Sequence, residues 1–191
     1  MRRWRQREQG RALHLCGWSE TKGSQLVEFA VALPLLAVFV VGIFDFGAAF
    51  NVKQKLSNAA REGARVAAES PTNDIQTALP LSVVEARSIV DAYLQDASVN
   101  DCGLLAATAT HSSGSLQWEF DASTGCPGTL KLTIERGYVF QETTLKAVAT
   151  QVTISYPYKW SFNRVIGLLV SGTTYAGVSQ IQSNAIVVNQ N

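Results

Sequence analysis

The chain has 191 residues, 47% of them hydrophobic and 16% charged, with a formal net charge of +1; that is room for one apolar segment and one modest folded domain. The charge is unevenly placed: residues 1–23 carry six Lys/Arg against two acids, which leaves ten against thirteen in the remainder. A mildly acidic body lacks the clustered basic face of a nucleic-acid binder, so nucleic acid is excluded as a partner.

The basic arm (Arg2, Arg3, Arg5, Arg7, Arg11 and Lys22, against Glu8 and Glu20) leads directly into residues 29–44, which carry no charge. With Leu26 and Val27 before this run and residues 46–50 after Asp45, the apolar segment is long enough to cross a bilayer, which takes about 20 helical residues. Flanking Arg and Lys place residues 1–22 in the cytoplasm and the remainder outside. A cleaved secretory signal shares the basic start. Here, however, the run is longer than such a signal requires, Glu28 interrupts its beginning, and the helical pattern continues past Ala49.

That pattern continues through NVKQKLSNAAREGARVAAES. Val52, Leu56, Ala59 or Ala60, Ala64 and Ala67 recur at spacings of three and four, which predicts one helix over residues 25–69, apolar first and amphipathic afterwards. Pro34 is expected to kink it. ESPTND ends it, and a second helix follows Pro80, with Ser82 and Glu85 spaced as a capping box and Val83, Ala86, Val90, Tyr93 and Ala97 as its apolar stripe. Beyond residue 103 the period changes: SLQWEF, TLKLTIERGYVF, VATQVTISYPYKW and NAIVVN read as strands, with Leu130, Leu132 and Ile134 alternating against Lys131, Thr133 and Glu135. The class is α+β: a long N-terminal transmembrane helix continuing into an amphipathic helix, then a small antiparallel sheet. The expected organisation is a cytoplasmic leader at 1–23, a span at 24–50, a helical extension at 51–70 and an extracytoplasmic domain at 71–191.

Cys16 lies in the arm, where thiols stay reduced, whereas Cys102 and Cys126 fall on the external side and bracket 23 residues. A bridge there contributes about 3 kcal/mol in the chain-entropy model. The two histidines, His14 and His111, do not combine with a nucleophile: His14 is on the other side of the membrane, and His111 sits in a Ser-rich loop as a solvated residue. Asp91, Asp96 and Asp101 read as a solvated helix face. No phosphate cradle, HExxH or CxxC occurs, so the chain is read as a non-enzyme with no cofactor and no metal.

Glu28 remains. A carboxylate at the edge of a membrane helix either lies at headgroup depth, favoured by the helix dipole, or marks function. The stretch KGSQLVEF, residues 22–29, resembles the processing signature of type IV pilin-like proteins. More specifically, GSQLVEFAVALPLLAVFVVGIFDFG followed by QKLSNAAREGARVAA resembles the TadE-like proteins of tight adherence (Tad/Flp) pilus systems, over residues 22–68. The resemblance implies a minor pilin or pseudopilin, taking part in assembly, initiation or anchoring of the pilus, in the inner membrane with its C-terminal domain periplasmic or extracellular. A prepilin peptidase would cut after Gly23, making Ser24 the N-terminus and Glu28 the fifth residue. The implied partners are that peptidase, other minor pilins, the major Flp pilin, the assembly platform and membrane lipid.

The new amine at Ser24 can pair with Glu28 of a neighbouring subunit, neutralising a carboxylate lodged among apolar helices. Gly42 and Gly47 allow close helix approach. Asp45 either sits at the outer interface or meets a basic partner. Arg61, Glu62 and Arg65 form local ion pairs on a solvated face, or contact another assembly component. The alternative reading is an uncleaved, membrane-anchored module that binds or adheres through its external sheet.

Overall fold

A computed structural model describes residues 21–71, 73, 75–142, 145–161 and 177–190. The arm with His14 and Cys16 lies outside these residues. Two compact units divide the chain, Met1–Ala37 and Val38–Asn191. Helix α1 runs Thr21–Glu69, with Pro34 inside it, and helix α2 runs Leu81–Asp96. A 3₁₀ turn, Leu104–Ala106, precedes five strands: β1 Ala109–His111, β2 Gln117–Ala122, β3 Leu130–Glu142, β4 Leu145–Lys159 and β5 Val178–Val188. They form one antiparallel sheet in the order β1-β2-β3-β4-β5. The α+β architecture read from the sequence is the one observed, and β1 is added to the four strands anticipated.

In the first unit, the described side chains of α1 are exposed apart from a half-buried Pro34. In the second unit, α1 becomes a core element. Leu56, Ala59, Ala60, Ala64 and Ala67 are fully buried, in one cluster with Val83, Ala86, Val90 and Leu94 of α2 and with Trp118, Phe120, Leu132, Ile134, Val152 and Ile154 of the sheet. The cause is the combination of two periods. Three-and-four spacing gives each helix one apolar stripe, and alternation gives the strands one apolar face. Register aligns that face across the sheet, pairing Phe120 with Leu132 and Leu132 with Ile154, and likewise Trp118 with Ile134 and Ile134 with Val152.

Three local expectations change. The Ser82–Glu85 capping box is not formed, because α2 starts at Leu81 and leaves Ser82 buried within its first turn. Pro80 opens the helix instead, its carbonyl accepting from Val83 N and Val84 N, and its fixed φ suits a helix start. Leu94 occupies the centre of the α2 stripe, with Tyr93 and Ala97 half-buried beside it. His111 is not a solvated loop residue: it closes β1, stacks on Trp118 at 4.9 Å and places Nδ1 3.1 Å from Gln117 O.

Gly63 is where α1 and α2 come closest. A Cβ there would lie 2.6 Å from Val90 Cγ2, a branched and stiff neighbour. Gly63→Ala is therefore expected to destabilise the chain by about 1–3 kcal/mol in denaturant unfolding, despite the better helix propensity of alanine. Adding Val90→Ala should recover part of the loss. Equal or greater stability for Gly63→Ala alone would contradict this packing.

Candidate functional site

At the start of α1, Gly23 has open space around it: a Cβ would meet nothing within 4 Å. One turn separates Ser24 from Glu28, and the Ser24 hydroxyl donates to Glu28 Oε1 at 3.5 Å. Glu28 is exposed, among the exposed apolar side chains of Leu26, Val27, Phe29 and Val31. Among the described residues no Lys or Arg pairs with it. A carboxylate is thus displayed on an apolar helical surface that the chain itself leaves uncovered. Farther along, Gly42 is half-buried and Gly47 exposed, with nothing within 4 Å of a Cβ at the latter.

Asp45 has neither of the settings considered from the sequence. It is only 5% exposed, turned toward β4, where the Tyr158 hydroxyl donates to its Oδ1 at 3.2 Å and approaches its backbone oxygen at 3.4 Å. Burial, then the Asp45 charge and hydrogen bond, raise the Tyr158 hydroxyl above its ordinary pKa and keep it a donor. Beside this bond, Phe46 meets the Trp160 ring edge-on at 5.2 Å, and Trp160 meets Tyr158 at 5.0 Å. The YPYKW aromatics therefore pack on α1. Tyr158→Phe should lower stability by about 1–3 kcal/mol, the range for a hydrogen bond to a charged group. In a double-mutant cycle with Asp45→Asn, the coupling should be about 1 kcal/mol, and strict additivity would contradict the contact.

Arg61, Glu62 and Arg65 lie on the outward side of α1. Arg65 pairs with Glu62 at 2.9 Å and with Glu69 at 3.3 Å, the local pairs expected at i,i+3 and i,i+4. AAREGAR thus divides into charged residues facing out and Ala59, Ala60, Gly63 and Ala64 packed in. Cys102 and Cys126 are disulfide-bonded, with Cα atoms 5.4 Å apart. Asn100 secures the same loop, accepting from Cys102 N and donating to Gly125 O, each at 2.9 Å.

Two buried charged groups escaped the sequence reading. Arg136, 2% exposed, donates from Nη2 to Ser70 O at 2.9 Å and from Nη1 to Pro71 O at 3.2 Å. It places a cation on carbonyls that follow α1, where the helix dipole favours one. Its signal was its parity with Leu130, Leu132 and Ile134. Asp91 is not on a solvated face. It too is 2% exposed, accepts from Gln95 Nε2 at 2.8 Å and lies in hydrogen-bonding reach of Asp101. Asp96 is exposed. Burial, then the neighbouring Asp101, push Asp91 up to about 6. Burial opposes ionisation of Asp101 as well, but hydrogen bonds from Asp91, Gly103 and Gln95 prevail and hold it below the usual carboxylate value.

Because the folded pKa of Asp91 exceeds its unfolded value, near 4, the folded state takes up the proton first. Its stabilising contribution is present at low pH and is lost as pH rises through about 6. Asp91→Asn should therefore raise stability at pH 8 by roughly 2 kcal/mol and flatten the change between about pH 4 and 6. Unfolding of the detergent-solubilised chain across that range checks this, and an unchanged pH slope would contradict it.

These features define an α+β protein with a candidate membrane helix at its N-terminus. Residues 23–65 match the family model described as TadE-like protein, which identifies this part of the chain as TadE-like. The match begins at Gly23, passes through Glu28 and Asp45, and ends at Arg65, on α1. No curated protein and no solved structure matches the chain.

Proposed function

We propose that this chain is a minor pilin or pseudopilin of a Tad/Flp-type pilus, held in the inner membrane by residues 24–50 with its basic arm in the cytoplasm and its sheet domain outside. The observation that carries the reading is the TadE-like match starting at Gly23 and including Glu28, a carboxylate left on an uncovered apolar surface. A prepilin peptidase cutting between Gly23 and Ser24 would generate a cationic amine one turn from that carboxylate. Packing Glu28 among other subunits' helices without a cation costs several kcal/mol, and pairing it with such an amine removes most of that penalty. Cleavage and assembly are then linked by one ion pair.

In this reading other minor pilins and the major Flp pilin pack on the exposed apolar stretch, with Gly42 and Gly47 admitting close approach. The Arg61, Glu62 and Arg65 face meets the assembly platform or a neighbouring subunit. The open space at Gly23 makes a substitution there informative, since alanine fits the helix and any loss of cutting reports on the peptidase. Gly23→Ala should leave the chain uncut and abolish pili. Glu28→Ala should be cut normally, yet lower pilus output at least about tenfold, the effect of roughly 1.4 kcal/mol. Normal pili from Gly23→Ala would sink the cleavage step. If neither substitution changes pilus output, an uncut, membrane-anchored binding module replaces the pilin reading.

A further inference from the structure

The aromatic cluster around Trp160 does more than pack the sheet domain on its helix. On the outer side of α1, Phe46, Phe50 and Lys53 follow one another at spacings of four and three, and all three are exposed. The end of β4 supplies Trp160, half-buried, and Lys159, exposed. Between them and Ile181 of β5 lies a groove of about 310 Å³, walled by Phe46, Phe50, Lys53 and Trp160. The Trp160 indole N–H is already bonded to Ser179 Oγ, so the ring offers the groove its apolar surface. Aromatic walls with an ammonium at the rim suit a molecule that is apolar at one end and anionic at the other.

The apolar segment itself says where the groove stands. Counted from Phe29, the first residue after Glu28, the roughly 20 helical residues needed to cross hydrocarbon end near Ala48. Phe46, in contact with Trp160, is therefore at the boundary between acyl chains and headgroups, where Trp and Tyr concentrate in membrane proteins. Lys53 is about a turn beyond, in reach of phosphate, and a lysine stem runs readily along an apolar wall to do so. The groove continues the surface that the span already presents to lipid.

We infer that the Phe46, Phe50, Lys53 and Trp160 groove binds a phospholipid of the leaflet on the side of the sheet domain, with its acyl chains on the aromatic rings and its phosphate at Lys53. The inference rests on the membrane-anchored reading above. It makes the sheet domain a peripheral membrane element, fixed at headgroup level by Trp160 and by the Tyr158–Asp45 bond beside it.

The test uses the full chain with Trp4→Phe and Trp18→Phe, reconstituted in phosphatidylglycerol vesicles carrying bromine either near the acyl carbonyls or near the terminal methyls. Trp118 is buried in the core, so it is retained, and a Trp160→Phe version supplies its background. A Leu36→Trp version of that background, at a position 62% exposed within the span, reports on the membrane anchor itself. Trp160 emission should fall about twofold or more with bromine near the carbonyls, and less with bromine near the methyls. Adding Lys53→Glu should weaken that quenching. Quenching of Leu36→Trp with none at Trp160, as when a second copy of the chain fills the groove, would overturn the lipid site and leave the anchor standing. Stronger quenching of Trp160 by deep bromine would also overturn the headgroup-level site. No quenching at Leu36→Trp would remove the anchor reading, and the lipid site with it.

Discussion

An aspartate in an apolar run has to be accommodated, and the position of Asp45 shows how this chain does so. Its carboxylate is taken into the sheet domain by the Tyr158 hydroxyl at 3.2 Å, and from that residue onward one stripe of α1 belongs to the core. Asp45, Ala49, Leu56, Ala59, Ala60, Ala64 and Ala67 are buried in sequence along it. A charged group left at bilayer depth costs several kcal/mol, while one bonded to a buried phenol does not. The polar bond thus marks the point at which the helix stops facing lipid and starts facing protein.

The rest of the domain follows from having α1 as its central rod. Small residues, Ala59, Ala60, Gly63 and Ala64, bring α2 and the sheet close to the helix axis, and large ones, Trp118 and Phe120, fill the space from the sheet side. Arg136 secures the far end through Ser70 O and Pro71 O, and Lys55 Nζ reaches from α1 to Ala97 O, at the C-terminus of α2. Each cation sits where carbonyls lack helical donors. The disulfide between Cys102 and Cys126 closes the loop that carries the sheet away from α2. What the fold leaves exposed is the first part of α1 with Glu28, the part the functional reading assigns to neighbours.

Much of this was legible in the sequence, for local reasons. Periods of three-and-four and of two are set by backbone geometry, so α1, α2 and the four longer strands could be read directly. β1 could not, because three residues, Ala109–His111, are too few to show alternation. The missing pieces depend on distant partners. Stepping the α1 stripe back from Leu56 by four and three reaches Ala49 and Asp45, so the burial of Asp45 was implicit, but Tyr158 lies 113 residues away. Arg136 shares the parity of Leu132 and Ile134, yet its acceptors are 65 and 66 residues off. Asp91 sits beside Val90 on α2, and only the return of the chain at Asp101 turns that flank inward. The candidate processing site was legible in full, since Gly23, Ser24 and Glu28 lie within two turns of one helix.

The account stands most directly on whether residues 1–23 are removed. Intact mass of the membrane-extracted chain, from cells with and without the Tad prepilin peptidase, decides this. The prediction is a chain beginning at Ser24 when the peptidase is present and a full-length chain when it is absent. A full-length chain in both would contradict the account, leaving Glu28 without its amine and the protein a permanent anchor.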